Sequence, residues 1–334
     1  MGFCPCSRPQ KLDEENIGEI MIAKRLAIQL FGHLRTFEHT FENFKKNVIE
    51  PNKEDGYEID IFIHTWDQHD HNTVSYRQDG TSVPEKLTDI QIDRVKKAYN
   101  PKKISITSQQ DRDELIIIEK LGKGKRSIKG CLNIAYTLFR GSELRQEYEN
   151  ETATKYDYVF ITRPDILFLN PIKIDSILSL YDEFGFEKPE NGLYYAYNPF
   201  RGKFGIEDPR IVAGSDLIYF AEPKNADKAV SLYKDFDNNI DVNNFYCFEV
   251  WQMQFWKKMG IEPLQMNYIF VRDWLVLYKE MVSNLAGYIS NHTDKSSVRI
   301  ASFLGLPIMK IKRYGNKTKY YLFGFIRILK IKER

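Results

Sequence analysis

Short apolar runs alternate along this chain with stretches whose apolar residues recur every three or four positions, and this alternation restricts the fold more than any other feature. Leu26-Ala27-Ile28-Gln29-Leu30-Phe31, closed by Gly32, predicts a strand buried on both faces. Phe37, Phe41, Phe44 and Val48 then fall on one helical stripe, which the pattern ends at Pro51. Ile59–Ile63 predicts a second strand, Thr88–Tyr99 a helix and Lys103–Thr107 a third strand. Ile128, Cys131, Leu132, Ala135, Leu138 and Phe139 mark a long helix that feeds the strand Tyr156–Thr162. Such an order predicts right-handed crossovers and an α/β fold, a mostly parallel Rossmann-type sheet flanked by helices. Ligands of such sheets bind beyond the carboxyl ends of the strands.

The second half is less regular. Strands are predicted at Leu193–Tyr197, Leu217–Phe220 and Tyr268–Val271, with helices at Ala226–Phe236 and Phe245–Met259. The expected organisation is a polar leader (1–22), a regular first half (23–175), a less regular second half (176–304) and a basic tail (305–334).

Among 334 residues, 43% are apolar and 14% aromatic, enough for a sizeable core and too many for a disordered chain. Cys4, Cys6, Cys131 and Cys247 are too few and scattered for a disulfide framework. No apolar run reaches the roughly 18 residues of a membrane span, so a cytoplasmic protein is expected. The net charge of +2 hides a division. From Lys310 to Arg334 nine basic residues face one acid, Glu333, giving +8, while the preceding chain has 39 basic and 45 acidic residues, giving −6. An acidic body argues against nucleic acid as a partner. The tail interleaves lysine and arginine with aromatic and aliphatic residues, which suits peripheral contact with an anionic membrane surface, here the inner face of the cell membrane.

Three predicted strand ends carry chemistry. After the first, Phe31-Gly32-His33-Leu34-Arg35 offers a glycine that lets backbone approach a ligand and an arginine that reaches a phosphate. After the second come Trp66 and Asp67: either a base or sugar stacks on the indole while the carboxylate accepts hydroxyl hydrogen bonds, or the two are a core residue and a helix cap. After the fourth comes Thr162-Arg163-Pro164-Asp165, a charged pair within an apolar segment. Arg163 can neutralise a phosphate or pair with Asp165, and Asp165 can hold a divalent cation or bond a sugar hydroxyl.

Leu30–Phe37, Asp60–Asp67 and Tyr156–Asp165, in that order and spacing, resemble segments of bacterial surface-polysaccharide glycosyltransferases, the GT-A-like enzymes of capsule and lipopolysaccharide synthesis. The resemblance spans roughly residues 25–275 and would make 23–175 the nucleotide-sugar-binding half and 176–304 the acceptor-side half. It implies transfer of a sugar from a nucleotide-sugar donor to a glycan or lipid-linked acceptor. The donor would lie near Phe31, Gly32, Arg35, Trp66, Asp67 and Arg163. A divalent cation, Mn or Mg, would sit at Asp165, the later position of a D-x-D motif in which Arg163 replaces the first carboxylate. Two acidic positions also resemble the family's acceptor side: Asp208, ahead of Gly214-Ser215, and Glu249, in Phe248-Glu249-Val250-Trp251. Either would serve as the catalytic base.

Two other readings keep their own residues. His64, Asp67, His69, Asp70 and His71 form a dense set of metal-type ligands, as in a metal-dependent phosphoesterase. The same strand ends would also suit a sugar- or nucleotide-binding protein that performs no catalysis.

Overall fold

A computed structural model describes residues 24–70, 85–108, 128–197, 214–234, 248–277 and 282, together with the backbone of four strands between 298 and 332. Thirteen strands and seven α-helices are assigned among them. In chain order they are β1 (Lys24–Phe31), α1 (Phe37–Phe44), α2 (Glu50–Glu54), β2 (Tyr57–Trp66), α3 (Asp89–Tyr99), β3 (Lys103–Thr107) and α4 (Ile128–Thr152). Then follow β4 (Tyr158–Thr162), β5 (Ile166–Phe168), α5 (Ile174–Glu183), β6 (Gly192–Tyr197), β7 (Gly214–Ala221) and α6 (Pro223–Val230). The order closes with α7 (Phe248–Lys258), β8 (Glu262–Ile269), β9 (Trp274–Val276), β10 (Val298–Phe303), β11 (Leu306–Tyr314), β12 (Lys317–Leu322) and β13 (Ile326–Lys332).

The fold is α/β. Its seven-stranded mixed sheet has the order β3-β2-β1-β4-β7-β6-β8 and is parallel except where β7 runs antiparallel to both β4 and β6. Both predicted halves contribute, since β1 to β4 precede residue 176 and β6 to β8 follow it. The strands bury alternate residues on opposite faces. Ala27, Phe31, Val159, Ile161 and Tyr219 pack with α4, α6 and α7, whereas Leu26, Ile28, Leu30, Phe160 and Phe220 pack with α1, α3 and α5. That two-sided burial is why β1 and β4 read as unbroken apolar runs in the sequence.

Several elements differ from expectation. The first helix does not stop at Pro51: a π turn, Lys45–Ile49, joins α1 to α2, and Pro51 lies in the opening turn of α2. The strand expected at Tyr268–Val271 runs instead from Glu262 to Ile269, because its partner β6 pairs with Glu262 to Gln265 before the register shifts at Tyr195/Tyr197. The helix expected over Ala226–Phe236 begins at Pro223 and gives way to a 3-10 turn at Ser231–Tyr233. The described residues of the basic tail form β11, β12 and β13, which with β10 make a four-stranded antiparallel sheet. A two-stranded ribbon of β5 and β9 was not anticipated.

Candidate functional site

From β1 the chain builds β2 and β3 on one side of the sheet and then places β4 on the other side of β1. The strand order therefore reverses between β1 and β4, where loops leaving two neighbouring carboxyl ends diverge and open a crevice. The first loop begins at Gly32, whose φ of 89° belongs to the left-handed region that glycine adopts without strain. A Cβ there would meet nothing within 4 Å, so the backbone conformation demands glycine and the space beside it is open. The Gly32 amide donates to Thr137 Oγ1 on α4 (3.1 Å), which ties the turn down. Arg35 also has positive φ, 40°, an uncommon conformation for a side chain of its size. Its amide donates to the carbonyl of His69, joining this loop to the one after β2.

The charged side chains meet in this crevice. Arg163 donates through Nε to Asp165 Oδ1 (2.8 Å) and through Nη2 to Oδ2. From the other loop Arg35 donates through Nη1 to Asp165 Oδ2 (2.9 Å) and through Nε to Asp70 Oδ1 (2.8 Å). Asp165 is wholly buried, while each arginine keeps 17% of its side chain exposed. Burial alone would raise the Asp165 pKa, but Arg163 and then Arg35 outweigh it and hold the carboxyl below the usual range. Burial would likewise lower the Arg35 pKa, yet Asp165 and Asp70 together raise it, so the guanidinium stays charged.

A second carboxyl pair adjoins the first cluster. The register of β7 on β4 pairs Ile218 with Thr162, which puts Asp216 two residues farther along, beside the end of β4. Burial and then the charge of Glu249, in the first turn of α7, push the Asp216 carboxyl up to about 8, against the opposing pull of Arg163. The Asp216 carboxyl therefore keeps its proton to a higher pH than an ordinary aspartate does, beside Glu249.

The structure thus brings Arg35, Arg163, Asp165 and Glu249 into one region. Other expected site residues have different surroundings. Phe31 is buried in the core against α4. Trp66 is 2% exposed, its indole stacked on Tyr136 at 5.6 Å, so its ring face is covered by protein and not presented to a base or sugar. Asp67 is partly buried, and its Oδ1 has no hydrogen-bond partner among the described residues. Asp208 and His71 lie outside the described residues. His64 is fully buried with its two ring nitrogens against Thr137 and Thr107, and no group of three His, Cys, Asp or Glu among the described residues could hold a metal ion. Nor does Asp165 fit a cation: its two oxygens already accept three N–H bonds from two guanidinium groups, whose charges would oppose a metal.

Asp216 was not singled out in the sequence. Its signal is positional: it opens the apolar run Leu217–Phe220 as Arg163 closes the run Val159–Thr162, and the two become neighbours only once β7 is known to be antiparallel.

At the opposite, amino end of the same strands lies a cleft of about 630 Å³ lined by Lys24, Tyr57, Tyr158, Asp175, Asp182 and Glu222, among others. Its ion pairs are exposed, and it lies away from the carboxyl ends where the strand order reverses. The chemistry therefore favours the carboxyl ends. No family model matches the chain, and no curated protein matches it.

Proposed function

We propose that this protein is a glycosyltransferase that moves a sugar from a nucleotide-sugar donor to a surface glycan or lipid-linked acceptor. The observation that carries the proposal is the convergence of Arg35 and Arg163 on Asp165 where the strand order reverses between β1 and β4. Gly32 leaves room for the donor beside the first loop, and the guanidinium groups face the phosphates of the donor and then of the departing nucleoside diphosphate. Glu249 and Asp216 supply the acceptor side. As the acceptor hydroxyl oxygen bonds to the anomeric carbon, the anomeric carbon–phosphate oxygen bond breaks, and the hydroxyl proton passes to the base, which we assign to the Glu249 carboxylate. The neighbouring protonated Asp216 orients the acceptor by donating a hydrogen bond.

The basic tail fits an enzyme that works on a lipid-linked or surface glycan. None of the described helices is long and apolar enough to cross a membrane, and nine basic residues at about 1 kcal/mol each near an anionic surface suffice for peripheral attachment. Deleting 306–334 should release the protein from anionic vesicles in a sedimentation assay while nucleotide binding persists; a truncated chain that still sediments removes the tail from this role.

The test of the function is transfer. Incubation with a panel of nucleotide sugars and a membrane fraction should release one nucleoside diphosphate and label a glycan or lipid, and Glu249→Gln should lower that rate by about a hundredfold or more. Release of phosphate from an aryl phosphate, with no sugar transfer from any donor, would replace the proposal with phosphoester hydrolysis.

A further inference from the structure

We propose that Arg35 and Arg163, pinned by Asp165, form a diphosphate clamp that works without a divalent cation, and that Asp70 occupies one arm of it until the anion arrives. The inference rests on the reading of the crevice as a nucleotide-sugar site and names how that site grips its ligand.

The donor count is the first support. A guanidinium has five N–H donors in a fixed fork. Arg163 commits Nε and Nη2 to Asp165, leaving Nη1 outside these bonds, while Arg35 commits Nη1 to Asp165 and Nε to Asp70, leaving Nη2. Both arginines reach the surface of the crevice, whereas Asp165 does not. Asp165 therefore acts as a buried keel: it fixes two forks at once and cancels only one of their two charges. The remaining positive charge is met by Asp70, on the loop after β2 and 20% exposed, whose Oδ1 accepts from Arg35 Nε at 2.8 Å. A phosphate oxygen carries the same charge and accepts the same N–H, so an incoming diphosphate can take the place of Asp70 without any change at the keel.

Backbone geometry supports the same assignment. Arg35 adopts its strained positive φ, and its amide bond to His69 ties the arginine loop to the loop that carries Asp70, so the arm and the carboxylate that occupies it are held in register. A cation at Asp165, by contrast, would have to displace three N–H bonds and stand between two positive groups.

The test is calorimetric titration of inorganic pyrophosphate and of UDP, GDP, CDP and ADP into the full chain, in EDTA and in excess Mg or Mn, with Asp70→Asn and Arg163→Lys as variants. Circular dichroism reports whether each variant folds, and Arg35→Lys substitutes for Arg163→Lys if the latter does not. The clamp predicts binding in EDTA that changes by less than about threefold when metal is added. It also predicts binding about threefold or more tighter in Asp70→Asn, where a rim carboxylate no longer competes, and about tenfold or more weaker in the arginine variant. Binding that requires Mg or Mn, or that weakens in Asp70→Asn, overturns the clamp and leaves the nucleotide-sugar reading standing. Failure of every diphosphate to bind in either condition overturns both.

Discussion

At the carboxyl ends of β1 and β4, Asp165 lies buried between two arginines drawn from separate loops; at the amino ends of the same sheet, Lys24 and Asp175 form a pair at 2.6 Å with side chains 51% and 33% exposed. Both ends join charges over more than a hundred residues of chain, yet their energetics differ. An exposed pair gains little, because water screens it and two long side chains lose freedom. A buried carboxylate must be stripped of water, and only the full set of N–H donors around it offsets that penalty. A fold that needed only stability could fill the crevice with apolar side chains, as it does in the layers below. Retaining a desolvated carboxylate under two guanidinium groups is better explained by something that the arginines do.

This contrast is open to direct attack. The largest expected effect is on Asp165→Ala, which removes the buried carboxylate that Arg163 and Arg35 share, leaving Arg35 only Asp70, and should lower stability by about 3 kcal/mol in chemical denaturation. Lys24→Ala at the other end should change it by at most about 1 kcal/mol. Similar losses in the two variants would erase the distinction between the ends.

A second difference separates the carboxyls of the crevice from each other. Asp216, pushed up to about 8, keeps a proton in the folded chain that the unfolded chain loses near 4, so it makes stability fall as pH rises from about 4 to about 8. Asp165, held below the ordinary range, does the reverse: its contribution is present above that range and is lost as pH falls through its lowered value. Unfolding followed against pH should therefore show Asp216→Asn flattening the downward slope within that window and leaving the acid limb below it unchanged. An unaltered slope would mean that Asp216 ionises normally.

Trp66 sharpens the boundary between site and core. Because its indole is enclosed and stacked on Tyr136, Trp66→Phe should cost about 1–3 kcal/mol of stability and leave nucleotide affinity within about twofold of the original. A tenfold loss of affinity with little loss of stability would return Trp66 to the donor site.

The parts of this molecule that could be read from sequence are those governed by local pattern. β1 and β4 are apolar because both their faces are covered, and α3 is capped by Thr88, whose side chain and that of Gln91 form a reciprocal box. Arg35, Arg163 and Asp165 were legible for a related reason: each follows a recognisable strand, and strand ends are where an α/β sheet gathers its ligands. The antiparallel insertion of β7 was not legible, because Leu217–Phe220 would look the same in either direction. With it went Asp216, whose importance depends on a neighbour more than fifty positions away. Trp66 failed for the opposite reason. A tryptophan at a strand end suits a ligand platform and a core equally well, and only Tyr136 on α4, remote in sequence, decides between them. The π turn that carries α1 past Pro51 is likewise invisible to a rule that lets proline end a helix.

The central claim is that the crevice between β1 and β4 receives a nucleotide sugar through its arginines. Calorimetric titration of a nucleotide-sugar panel into the wild-type chain and into Arg163→Ala tests it most directly. One donor should bind the wild type and lose at least about tenfold in affinity in the variant, with the variant's fold verified by circular dichroism. A donor that binds both chains equally, or a panel from which nothing binds the wild type, would contradict it.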